Sequence, residues 1–75
     1  MTRLGSYPGV VVVRAFENAG WHISRQKGSH VVMEKAGHEA TLSIPVHQGK
    51  DVKRGTLRNL IADAGMTVDE FVSCL

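Results

Sequence analysis

A chain of 75 residues is long enough for one domain with a small core, and at that size folding is marginal without a staple or a partner chain. The single cysteine, Cys74, excludes an internal disulfide; the apolar run Val10–Val13 is too short for a signal-peptide core, and no segment is long enough to cross a membrane. A reduced, cytoplasmic setting is the expectation that follows. The net charge of +2 hides an asymmetry: residues 1–58 hold nine Lys/Arg against four Asp/Glu, a local balance of +5, while residues 59–75 hold three acids and no Lys or Arg. Such a split favours a basic face with a polyanion as partner, the alternative being ordinary solvated charge.

Residues 1–6 read as a loose end, with Ser6 as the N-cap of a first helix and Pro8 in its first turn. The segment Gly9–Ala19 carries two signals. Four consecutive valines favour a strand, but Val12/Val13, Phe16 and Ala19 recur at helical spacing, and Gly20 suits the position just past a helix end. The helical reading is adopted. From Trp21 to Gln26 the residues alternate as in a half-buried strand, with Trp21, Ile23 and Arg25 on one face. Lys27-Gly28 suggests a turn, and a second strand runs from Ser29 to Lys35.

A two-residue loop at Ala36-Gly37 would lead into a third strand, from His38 to Val46. On that register Val31 faces Leu42, Met33 faces Ala40 and His30 faces Ser43, which puts His30 on the open face of the sheet. His47, readable as a second proton-transfer group or as a loop-packing residue, would then lie four residues beyond the partner of His30, about 13 Å along the strand, which weighs against a direct partnership.

Pro45 fits a strand end or edge. The polar, basic stretch His47–Gly55 reads as a loop, and Asp51 or Thr56 is expected to cap the helix that follows. Leu57, Leu60, Ile61 and Ala64 form its apolar stripe, closed by Gly65. Thr67 with Glu70 forms a capping box for a last short helix bearing Val68, Phe71, Val72 and Leu75. The expected fold is α+β, in the order α-β-β-β-α, with a three-stranded antiparallel sheet and helices on one face.

The stretch with most chemistry is Arg25-Gln26-Lys27-Gly28-Ser29-His30. Histidine titrates near neutrality and can give or take a proton at cellular pH. The cations Arg25 and Lys27, with the backbone at Gly28 and Ser29, offer a place to hold a phosphate. Read by itself, the pattern favours an ordinary surface or cross-strand histidine at position 30 over a catalytic one. Lys50, Lys53 and Arg54 precede a helix start, a place that attracts phosphate, though an exposed basic loop would look the same. His22, His30, His38 and His47 match no His/Cys metal spacing, and no second cysteine is present, so neither a metal nor another cofactor is expected. Cys74 reads as a packing residue. Phe16, Trp21 and Phe71 read as core, which leaves no aromatic on the open face to stack bases.

These pieces together resemble the HicA, or YcfA-like, toxin family of prokaryotic toxin–antitoxin systems. The residues that carry the resemblance are Ala19-Gly20-Trp21, Arg25–His30, Ile44-Pro45-Val46-His47, Lys53-Arg54-Gly55-Thr56-Leu57, Ile61, Ala64-Gly65-Met66-Thr67 and Phe71, in this order across most of the chain. The resemblance implies a fold like a double-stranded-RNA-binding domain, endoribonuclease action on mRNA, and neutralisation by a HicB-type antitoxin. It implies that a single histidine, His30 in Gly28-Ser29-His30, is catalytic, and through the fold that Lys50, Lys53 and Arg54 touch the RNA backbone. Direct contact with DNA or a membrane is not expected, DNA being reached only through the antitoxin complex. The valine run, Trp21 for the more usual Phe and Met66 for the more usual Leu are departures away from the chemistry.

RNA brings its own nucleophile, the 2′-hydroxyl, so cleavage requires only proton transfer and stabilisation of a crowded phosphate. One placed histidine supplies about 10²–10⁴-fold, with Arg25, Lys27, Gly28 and Ser29 adding positioning and charge. His47 is assigned a secondary or substrate-contact role. Two rival readings are a non-catalytic RNA-binding module of the same fold, for which His30 is dispensable, and a protein-interaction domain without RNA affinity.

Overall fold

The computed structural model describes residues 3–75. Two strands, β1 (Tyr7–Pro8) and β5 (Asp51–Val52), pair with each other, and three, β2 (His22–Lys27), β3 (His30–Glu34) and β4 (Leu42–Pro45), form an antiparallel sheet in sequence order. The helices are α1 (Gly9–Asn18), α2 (Arg54–Asp63) and α3 (Val68–Ser73). The main sequence of elements is therefore α-β-β-β-α with a terminal helix, an arrangement of the double-stranded-RNA-binding-domain kind.

The valine run is helical because its burial is one-sided. Val12, Val13, Ala15 and Phe16 are buried while Val10 and Val11 stay exposed, and that stripe outweighs the strand propensity of the individual residues. Phe16 packs on Phe71 of α3 at 5.2 Å between ring centroids and on Trp21 at 6.4 Å. Val31 and Met33 of β3, Leu42 and Ile44 of β4, and Leu57, Leu60 and Ile61 of α2 complete the core. Gly20 takes φ +101° past the end of α1, where the Lys35 ammonium donates to the Ala19 carbonyl at 3.1 Å, a cation at the negative end of a helix. The capping box of α3 is present in full: Glu70 N–H donates to Thr67 Oγ1 at 3.1 Å and Thr67 N–H to Glu70 Oε1 at 2.8 Å.

Four expectations are corrected. The first helix does not begin at Ser6. Tyr7 and Pro8 are extended and paired with Val52 and Asp51, Pro8 is the N-cap, and no side chain caps the helix. The residue before a proline is disfavoured in the α region, so Tyr7 belongs to a strand. The N-terminal end is not loose where it is described: Leu4 is buried in the core, whereas Met1 and Thr2 lie outside the described residues. β2 is exposed along its whole length rather than half-buried, although β4, the other edge of the sheet, buries Leu42 and Ile44; Trp21, its supposed anchor, is buried just before β2 begins. Neither Asp51 nor Thr56 caps α2, whose N-cap is Lys53, without a side-chain bond.

The sheet register is also two residues away from the expected one. His30 pairs with Pro45, Val31 with Ile44, Val32 with Ser43 and Met33 with Leu42. The β3–β4 connection is a loop rather than a two-residue hairpin. In that loop the His38 ring bonds the Asp63 carbonyl at 2.9 Å and lies edge-on to Trp21 at 4.9 Å.

Leu4→Ala tests the anchored end. It should lower unfolding stability by about 2–5 kcal/mol, as for other buried leucines, read from urea denaturation; a truly loose end would leave the midpoint unchanged.

Candidate active site

The β2–β3 hairpin turns through Gly28-Ser29, with Lys27 and His30 as the closing pair. Gly28 takes φ +61° while Ser29 does not adopt positive φ, which is the pattern of a type II′ loop with glycine first. Gln26 Nε2 donates to the Gly28 carbonyl at 3.3 Å, and Val46 N–H donates to the Ser29 carbonyl at 2.6 Å, so β4 holds the turn from its other side. Val31 and Met33 are buried, and His30 between Lys27 and Pro45 is exposed on the opposite face.

An irregularity in β2 decides what accompanies His30. Ile23 pairs with Met33, yet Arg25 pairs with Val32, so the register slips between them. Simple alternation puts Arg25 on the face of Ile23. The bulge instead moves Arg25 to the face of Val32, and Lys27 follows onto the face of His30. Arg25, Lys27 and His30 therefore share the uncovered face of the sheet, with Gly28 and Ser29 forming the turn beside them.

The corrected register moves His47 as well. It lies two residues past Pro45, the partner of His30, and the two imidazole rings are 6.4 Å apart and nearly perpendicular at 82°. The distance of about 13 Å that weighed against a partnership is thus corrected. Both rings belong to exposed residues. His47 is held by a turn in which its carbonyl accepts from Lys50 N–H at 3.1 Å, with Gly49 at φ +77°. The β1–β5 pair closes that loop.

His47 walls a cavity of about 280 Å³ together with Lys50, Asp51, Lys53 and Thr56. A larger, mostly apolar one of about 500 Å³ adjoins it, reaching Gly9 and Val10. Lys50 and Lys53 are thus brought to His47. Arg54 is exposed in the first turn of α2 and lines neither cavity. The start of α2 has no side-chain cap and no acidic residue in its first turn, which leaves the positive end of the helix dipole uncompensated there.

The remaining histidines lie elsewhere. His38 is engaged with Asp63 and Trp21, and His22 pairs with Glu34 at the far end of β2. Among the described residues no three His, Cys, Asp or Glu side chains lie close enough to hold a metal ion. Cys74 is half-buried against the core, and its carbonyl accepts from Asn18 at 2.8 Å.

Sequence reasoning missed the approach of α1 to the end of β4. A Cβ on Gly9 would lie 2.5 Å from the Pro45 carbonyl oxygen and 2.8 Å from Val46 Cα. The available signal was a glycine directly after Pro8, where a helix start gains nothing from glycine's freedom unless another backbone is near.

The fold defines a small α+β domain with Arg25, Lys27 and His30 on the open face of its sheet and His47, Lys50 and Lys53 around the adjoining cavity. The family model described as "HicA toxin of bacterial toxin-antitoxin" matches residues 11–66, and the chain belongs to the HicA toxin family. It is thereby the toxin type of component in a toxin–antitoxin system. No match was found among curated proteins. Among the described residues, no helix is long and apolar enough to cross a membrane.

Gly9→Ala tests the contact that holds the strand end bearing His47. Overpacking against backbone should cost about 1–3 kcal/mol, and the largest amide chemical-shift changes should fall at Val46 and His47. Shifts confined to α1 would mean that the contact does not position the site.

Proposed function

We propose that the chain is a metal-independent endoribonuclease that cleaves mRNA, and that a HicB-type antitoxin neutralises it. The observation that carries this reading is the gathering of His30 with Arg25 and Lys27 on an uncovered sheet face, by a tight turn and a bulge. Edge bulges are devices that re-aim side chains. Here the bulge puts two cations on the side of the one imidazole that sits at the turn.

The chemistry needs little more. A 2′-hydroxyl of the RNA attacks the adjacent phosphorus, and His30 transfers a proton in that step. Lys27, the Arg25 guanidinium and the backbone N–H groups of the Gly28-Ser29 turn stabilise the charge on the phosphate oxygens. The RNA backbone continues past Lys50, Lys53 and Arg54 at the uncompensated start of α2. The antitoxin inhibits by covering the His30 face or the basic path leading to it.

Two measurements test this. The purified chain should cleave a mixed-sequence RNA in excess EDTA, and His30→Ala should lose at least about 10²-fold in rate while keeping its RNA affinity. Equal cleavage by both proteins would place the activity elsewhere, and binding without cleavage by either would leave a non-catalytic RNA-binding module. Lys53→Ala with Arg54→Ala should weaken binding to all sequences alike. The slope of log K against log salt should flatten by about 1.4 if both contact single-stranded phosphates. An unchanged slope would remove these two from the interface.

A further inference from the structure

We infer that His47 is the second proton-transfer group of the same site, so that two imidazoles act on one phosphodiester from different sides. This deepens the ribonuclease reading above and rests on it. The primary observation is geometric. The β3–β4 register sets Pro45 opposite His30, and the chain then needs only Val46 to bring His47 back to the same end of the sheet, with 6.4 Å between the ring centroids. A proton-transfer group must reach its oxygen at about 2.6–3.2 Å. A separation of 6.4 Å is about twice that reach, which suits two rings that each hold a different oxygen of one phosphate group.

Three further features distinguish His47 from a histidine that merely fills space. It is exposed, whereas His38 is half-buried with its ring bonded to the Asp63 carbonyl. Its backbone is fixed on both sides, by Val46 N–H on the Ser29 carbonyl and by Lys50 N–H on its own carbonyl, so the ring is presented from an ordered turn that is tied directly to the turn preceding His30. It also walls the cavity that holds Lys50, Lys53 and Thr56, where charge on a phosphate oxygen would be met by two ammonium groups. Asp51 is the one carboxylate lining that cavity. Lys27 faces His30 across the hairpin. Each imidazole therefore has its own cationic neighbours.

The step balances without a further reactant. One imidazole, neutral, takes the proton of the 2′-hydroxyl as the oxygen's electron pair forms the new bond to phosphorus. The bond from phosphorus to the 5′-oxygen breaks, its pair leaves with that oxygen, and the other imidazole, protonated, gives the oxygen its proton. The products are a 2′,3′-cyclic phosphate and a 5′-hydroxyl. Nothing is oxidised or reduced, and exchange with water restores the two protonation states.

The test compares the 75-residue chain with His30→Ala, His47→Ala and His47→Gln on two RNA oligonucleotides. One has an ordinary linkage; the other carries a sulfur in place of the 5′-bridging oxygen, a leaving group that needs no proton. On the ordinary linkage His47→Ala and His47→Gln should both fall by about 10²–10⁴-fold, with RNA affinity by fluorescence anisotropy and the thermal midpoint unchanged. The pH–rate profile of the wild type should be bell-shaped, and His47→Ala should lose one limb of it. The sulfur linkage should restore one of the two alanine variants, the one that has lost the proton donor, and not the other.

Near-wild-type rates for His47→Ala or His47→Gln, or a loss that follows RNA affinity or unfolding, would overturn the inference. If wild type cleaves, His30→Ala does not and His47→Ala still does, the inference alone falls. If wild type does not cleave RNA, both it and the ribonuclease reading fall.

Discussion

The pairing of β3 with β4 is the constraint from which the candidate site follows. A one-residue slip would carry Val31, Met33, Leu42 and Ile44 from the core to the open face, so alternation forbids it. A two-residue slip is a different matter, because it preserves every face. Packing decides between the two permitted registers. In the observed one, Ile44 meets Val31 and Leu42 meets Met33, large against large, all of them buried. In the alternative, Ala40 would stand opposite Met33 and Ile44 would pass beyond Val31, giving up much of a buried side chain worth about 1.5–3 kcal/mol. The longer connection is then anchored by His38, bonded to the end of α2 and set against Trp21. A structural histidine thus helps determine where two chemically available ones lie.

This explains which parts of the fold were legible in the residues. α1, α2 and α3 are set by local signals: a one-sided apolar stripe, glycines at Gly20 and Gly65 with positive φ, and the reciprocal Thr67–Glu70 cap. The turn at Gly28 was equally local, whereas the exposure of His30 was read through the strand pairing and survives the corrected register because a two-residue shift preserves faces. What escaped depends on distant partners. β1 and β5 are each two residues long and gain their extended form from one another, although Tyr7 before Pro8 was a usable hint. The bulge in β2 shows in no periodicity, since it breaks the very alternation by which a strand is read. The distance from His30 to His47 could not be derived without the register, and the register was decided by side chains in the core.

The site's cations are arranged around these same features. Sequence asymmetry pointed to a basic face but could not say which cations share it, and the fold separates them. Arg25 and Lys27 are placed by the bulge, and Lys50 and Lys53 by the loop that β1 and β5 close. Arg54 is left at the helix surface. On the proposed ribonuclease reading, two groups of cations with an imidazole each suit a chain-like polyanion better than a compact one, because a backbone can pass from one group to the other. Exposed charge of this kind contributes little to stability, so its clustering is not explained by folding.

Stability and site geometry are coupled most closely at Gly9. The absence of a side chain there lets the first turn of α1 approach the Pro45 carbonyl and Val46, the two residues that lead into His47. The same helix buries Val12, Val13 and Phe16, so the principal core helix directly buttresses the strand end that carries the second imidazole. A domain this small has no separate layer with which to support a site. Its core must also serve as the support, and the face of the sheet that the helices do not cover is left open beside the cavity that His47 walls. That division explains why β2 tolerates exposure along its length: its contribution lies in the hairpin turn, the bulge and the side chains they direct, rather than in buried area.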